Sequence, residues 1–121
     1  MYLKILSTEF SICKIKNLKD INYEDEFIFL GKTDEELSLV CSTKYVPQEY
    51  IECDSGWKGF RIEGILDFSL VGILAKISSV LAENGISIFA ISTYNTDYIL
   101  LKADKLDKAI EILKRCDYIF K

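Results

Sequence analysis

From Phe60 onward the spacing of hydrophobic positions changes period several times, and each change marks an element. Phe60, Ile62, Leu66 and Phe68 alternate with Arg61, Glu63 and Asp67, the period of two that a strand shows when one face is buried. At Ser69 the period lengthens. Ile73, Leu74, Ile77, Val80 and Leu81 fall on one side of a helix starting near Leu70, with Lys76, Ser79 and Glu83 on the other. Ser69 suits the N-cap, where a hydroxyl accepts from a first-turn N–H, and Asn84-Gly85 suits a left-handed exit. Ile86 to Thr93 is β-branched and aromatic, Tyr94-Asn95-Thr96 reads as a turn, and Tyr98 to Leu101 as the returning strand. Asp104 opens a second helical face at Leu106, Ala109, Ile110 and Leu113, closed by Lys114 and Arg115, before a short strand at Tyr118 to Phe120. The order strand, helix, strand, strand, helix, strand is the split β-α-β arrangement of an α+β, ferredoxin-like fold.

The first half carries a weaker pattern. Strands are expected at Leu3 to Leu6, Phe10 to Ile15, Phe27 to Leu30 and Ser38 to Cys41, with a polar, acidic loop from Asn17 to Glu26. Thr33-Asp34-Glu35-Glu36 has the form of a capping box, yet Leu37 alone follows before the next strand, which limits any helix to about one turn. A shift of sixty residues lays Ile28, Phe29 and Thr33 on Ile88, Phe89 and Thr93, and Leu39-Val40 on Ile99-Leu100. The chain therefore reads as two related halves, residues 1–56 and 57–121, joined by a linker at Asp54 to Gly59, each expected to form an antiparallel sheet with helices on one face, four-stranded in the second half.

Composition narrows the chemistry. The 121 residues contain no histidine, which removes the commonest general base, the commonest metal ligand and every Ser-His or Cys-His pair. Four cysteines lack any Cys-x-x-Cys spacing, so they read as buried or half-buried free thiols of a reducing cytoplasm, with no metal site. A catalytic role for Cys116 is disfavoured because a helix C-terminus works against a thiolate. Fifteen basic against nineteen acidic residues give a net charge of −4, which repels nucleic acid. The excess lies in residues 1–56, with eleven acids and six bases. No apolar run exceeds four residues, so neither a membrane span nor a signal peptide is expected.

Ser69-Leu70-Val71-Gly72-Ile73-Leu74 resembles the strand-to-helix motif of ACT domains, commonly Asp or Asn, any residue, Pro, Gly, any residue, Leu. Ser69 and Val71 depart from it. The run from Asp67 to Leu101, and above all Ile91-Ser92-Thr93-Tyr94-Asn95-Thr96-Asp97-Tyr98, resembles the tandem-ACT family that includes small bacterial proteins and CASTOR-type arginine sensors. The resemblance implies two ACT-like halves, regulatory amino-acid binding without catalysis or cofactor, and a site at an interface between modules. The residues themselves suit such a ligand. A helix beginning near Leu70 aims backbone N–H groups and the positive end of its dipole at whatever lies in front, and Gly72 lets a carboxylate approach. The turn Thr93, Tyr94, Asn95, Thr96 and Asp97 offers hydroxyls, an amide and a carboxylate to an ammonium or basic side chain. The expected ligand contacts are thus Ser69, Leu70, Val71, Gly72 and Ile73 at one end and Thr93 to Asp97 at the other. Arginine is the first candidate by the resemblance. A homodimer is expected, because short strands leave edges that a second copy covers. The other reading is a protein-interaction module with no small ligand.

Overall fold

One long strand, β1 (Tyr2–Ile15), opens the chain where the hydrophobic pattern gives two. Ser7, Thr8 and Glu9 interrupt the apolar spacing but include no Gly, Pro, Asn or Asp to turn the backbone, so the strand continues through them. A computed structural model describes residues 1–64 and 72–121. The remaining elements are β2 (Ile28–Lys32), β3 (Leu37–Ser42), β4 (Glu52–Ile62), α1 (Ile73–Glu83), β5 (Phe89–Ser92), β6 (Asp97–Lys102), α2 (Leu106–Arg115) and β7 (Ile119–Phe120). The expected linker at Asp54 to Gly59 is a correction: β4 runs straight through it. Its small residues serve strand contacts, since a Cβ on Gly59 would lie 2.2 Å from the Ile99 carbonyl oxygen. Leu66 and Phe68 of the expected strand lie outside the described residues.

The chain divides into two compact units, Thr8–Trp57 and Met1–Ser7 with Lys58–Lys121, so β1 and β4 each contribute to both. In the second of these, the order is β7-β1-β4-β6-β5. The sheet is thus one strand larger than the expected four-stranded antiparallel sheet: the start of β1 joins it and pairs parallel to β7. Phe60, Ile62, Ile99 and Leu101 from alternate strand positions form one core with Ile77 and Leu81 of α1 and Ala109, Ile112 and Leu113 of α2. Both helices therefore cover the same face. Leu100 is also fully buried, which explains why β6 reads as an unbroken apolar run. Helix α1 ends as expected, with Gly85 at φ 72° and the Ile86 N–H donating to the Leu81 carbonyl over 3.0 Å.

The Thr8–Trp57 unit has the order β2-β3-β1-β4 and no α-helix, against the expectation of helices on one face. Single 3-10 turns at Leu18–Asp20 and Thr43–Tyr45 stand in the connections. Thr33 caps nothing helical. Its Oγ1 accepts from the N–H groups of Glu35 and Glu36 at 3.1 and 3.2 Å and shapes the β2–β3 hairpin loop. The core is small, built on Cys13, Ile15, Ile21, Leu39 and Cys41. Asp25, in the acidic loop, is buried and accepts from the Ser42 N–H at 2.8 Å and the Ser42 hydroxyl at 2.6 Å.

The sixty-residue shift extends to hydrogen-bond register. Phe29 pairs with Val40 as Phe89 pairs with Leu100, and Lys32 with Leu37 as Ser92 with Asp97. Each four-residue hairpin loop is closed by the same bond, Thr33 N–H to the Glu36 carbonyl at 3.0 Å and Thr93 N–H to the Thr96 carbonyl at 2.8 Å. The 3-10 turns Thr43–Tyr45 and Ala103–Lys105 follow at the same offset.

Candidate functional site

The sequence pattern starts α1 near Leu70 with Ser69 as its cap. Ser69, Leu70 and Val71 lie outside the described residues, and Gly72 holds the cap position with φ 80°. Few residues other than glycine take that conformation without strain. Gly72 accepts the first helical bond from the Lys76 N–H at 2.9 Å. Among the described residues no side chain caps this end, and the first turn of α1 holds no acidic residue that would neutralise the positive end of the dipole. A cavity of about 400 Å³ lies beside it, lined by Met1, Gly72, Ile73, Lys76, Cys116, Asp117 and Tyr118.

Two of these residues escape sequence reasoning. Lys76 sits on the polar side of α1, where a lysine is usually only solvated, yet one turn from the N-terminus it lines the same cavity as Gly72 and Ile73 and brings a cation to it. Asp117 stands just past the end of α2 at φ 70°, a place that glycine commonly fills. The Tyr118 N–H donates to the Leu113 carbonyl and the Asp117 N–H to the Lys114 carbonyl, both over 3.1 Å, the paired bonds of a left-handed helix exit. An aspartate there carries backbone strain and sits at the negative end of a helix. The only sequence signal is that no glycine follows Arg115.

The turn from Thr93 to Asp97 joins β5 to β6. Its groups are less available than the sequence suggests. The Thr96 hydroxyl is buried and donates to the Ile62 carbonyl at 2.7 Å, and the Thr93 hydroxyl donates to the Thr96 carbonyl at 3.0 Å. Asp97 accepts from the Ser92 hydroxyl through Oδ1 at 2.6 Å, leaving further acceptor capacity on the carboxylate. Tyr94 is 80% exposed, and Asn95 is exposed beside it. The turn is not among the residues that line the cavity at Gly72 and Ile73.

Of the cysteines, Cys13 and Cys41 are buried and Cys53 half-buried, whereas Cys116 is exposed, contrary to its expected burial. It is the C-cap residue of α2, past the last full turn of the helix. Among the described residues, no helix is long and apolar enough to cross a membrane.

A model of the ACT domain matches residues 52–115. Over 60 residues, 49% of the chain, the sequence is 42% identical to the cytosolic arginine sensor for mTORC1 subunit 1 of Homo sapiens, of which the match covers 18%. The crystal structure of a protein from Agobacterium tumefaciens superposes with a TM-score of 0.85 at 31% identity, covering 99% of this chain and 91% of that one. A Vibrio cholerae protein described as a possible transport protein superposes with a TM-score of 0.74 at 25% identity, over 92% of this chain and 85% of that one.

Proposed function

Because this chain belongs to the ACT-domain family, we propose that it is a regulatory module that binds an α-amino acid and carries out no chemistry on it. The observation that carries this reading is the start of α1 at a left-handed glycine, beside a cavity that Lys76 also lines. The ligand's carboxylate lies against the backbone of Ser69, Leu70, Val71, Gly72 and Ile73. Its ammonium or basic side chain is taken by the turn from Thr93 to Asp97, where Asp97 supplies the charge beside the exposed Tyr94 and Asn95 while the Thr93 and Thr96 hydroxyls hold the turn in shape. The shared strand order and sixty-residue register support reading the Thr8–Trp57 unit as a helix-poor copy of the other, a tandem ACT arrangement. A homodimer that completes the site between modules fits the same reading, and the free thiols suit a reducing cytoplasm.

Arginine is the first ligand to test, since the human relative is named as an arginine sensor, although the match spans a small part of that protein. Calorimetry with purified protein should give saturable binding of one amino acid. If the ligand is cationic, Asp97→Asn should weaken it roughly 10- to 150-fold, the loss of one hydrogen bond to a charged group at about 1.5–3 kcal/mol. A folded Asp97→Asn protein that binds as tightly as wild type would make Asp97 a turn residue only. A thermal-shift screen across the proteinogenic amino acids should register about 2.7 kcal/mol of added stability at about 100 times the dissociation constant. Silence across the whole set would favour a module that binds another protein instead.

A further inference from the structure

Three of the four thiols gather in the Thr8–Trp57 unit, far in sequence from the residues assigned to ligand binding. Cys13 on β1 and Cys53 on the neighbouring strand β4 bring their sulfurs to 3.0 Å. A disulfide needs about 2.05 Å, so the pair is about one ångström from bonding distance. Both residues line a cavity of about 650 Å³, together with Lys14, Glu36, Glu52 and Asp54. The two thiols differ in access. Cys13 is 2% exposed, while Cys53 is half-buried at the cavity wall. Burial, reinforced by the adjoining Cys53 and Cys41, pushes the Cys13 thiol far above its ordinary range and keeps it protonated. Cys13 is therefore a poor first nucleophile but sits in position to capture an oxidised sulfur next to it.

We propose that Cys53 and Cys13 form a thiol-oxidation site for a hydroperoxide small enough to enter this cavity, with the two residues ending as a disulfide. Cys53 gives its proton to solvent, and its thiolate attacks one peroxide oxygen. The O–O bond breaks, the departing oxygen leaves as alcohol or water once protonated, and Cys53 becomes a sulfenic acid. The Cys13 sulfur then displaces hydroxide from that sulfur, forming the S–S bond. The hydroxide departs as water with the Cys13 proton. Two thiols lose two electrons and the peroxide gains them.

Full-length reduced protein treated with hydrogen peroxide, then blocked with N-ethylmaleimide and digested with trypsin without reductant, tests the proposal. The cysteines fall on separate peptides, residues 5–14, 33–44, 45–58 and 116–121. The expected result is an intact mass lower by two hydrogens before blocking, a link between peptides 5–14 and 45–58, and its disappearance on adding dithiothreitol. Cys116→Ser should keep the link. Cys53→Ser should lose it and leave Cys13 unoxidised. A link from 5–14 to 33–44 would overturn the assignment by making Cys41 the partner. So would Cys53 proceeding to sulfinic acid with no link, or oxidation confined to Cys116.

Discussion

The same substitution at two glycines separates steric exclusion from backbone strain. At Gly59, in the middle of β4, an added Cβ would meet the Ile99 carbonyl oxygen at 2.2 Å and the Leu100 Cδ2 at 2.7 Å, where real Cβ atoms keep beyond 3.0 Å. The carbonyl oxygen belongs to backbone and cannot swing aside, so β4 and β6 would have to part by at least 0.8 Å. Losing two or three ladder bonds at about 1 kcal/mol each, together with displaced packing around Phe60 and Leu100, gives about 3–5 kcal/mol for Gly59→Ala. A chain of this size has about 6–18 kcal/mol in total. At Gly72 a Cβ would meet nothing within 4 Å among the described residues, and the cost comes from φ 80°. That cost is about 1–2 kcal/mol. Urea titrations followed by circular dichroism should therefore place Gly59→Ala well below Gly72→Ala, and Gly72→Ala modestly below wild type. If the two variants agree to within about 0.5 kcal/mol, the close approach of β4 to β6 does not govern stability and the reasoning fails.

Asp25→Ala removes the acceptor for the Ser42 N–H and hydroxyl and for the Phe27 N–H at 3.1 Å. It should cost about 2–4 kcal/mol in the same urea assay, whereas removal of the exposed Asp34 carboxylate should cost under about 0.5 kcal/mol. Burial, with the Asp25 carboxylate adding to it, raises the Cys41 thiol from 9.0 to about 11, so the fold favours the protonated form. That contribution is complete below pH 9.0 and is lost as pH rises towards about 11, and a Cys41→Ala variant should show a flatter decline in melting temperature across that interval.

The elements from Ile73 to Phe120 are legible because each carries its own signal. Asn84-Gly85 marks an exit, the apolar spacing of Ile77 and Leu81 marks a helical face, and Thr93 to Thr96 marks a hairpin loop. In the first half the apolar spacing identifies β2 and β3, but Thr33-Asp34-Glu35-Glu36 is chemically ambiguous. A threonine whose hydroxyl accepts from the following N–H groups serves a hairpin as well as a helix start, and the nearness of β3 decides between them. The candidate site is legible in part for a related reason. Gly72 and Asp97 announce themselves by residue type and neighbours, whereas Lys76 and Asp117 matter through the cavity they share, which no local pattern encodes.

Residue order alone carries the local features: periods of two and 3.6, turn chemistry, and a residue correspondence at a shift of sixty, each legible from neighbours within a few positions along the chain. Tertiary structure decided what depends on distant partners. It carried β4 through a stretch that looks like a linker, because Gly59 fits against β6 where any side chain would collide. It turned the Thr96 hydroxyl inward to Ile62, making an apparent ligand group a structural one. It also set Cys13 beside Cys53, forty positions away, because neighbouring strands hold their side chains within a few ångströms whatever the length of chain between them.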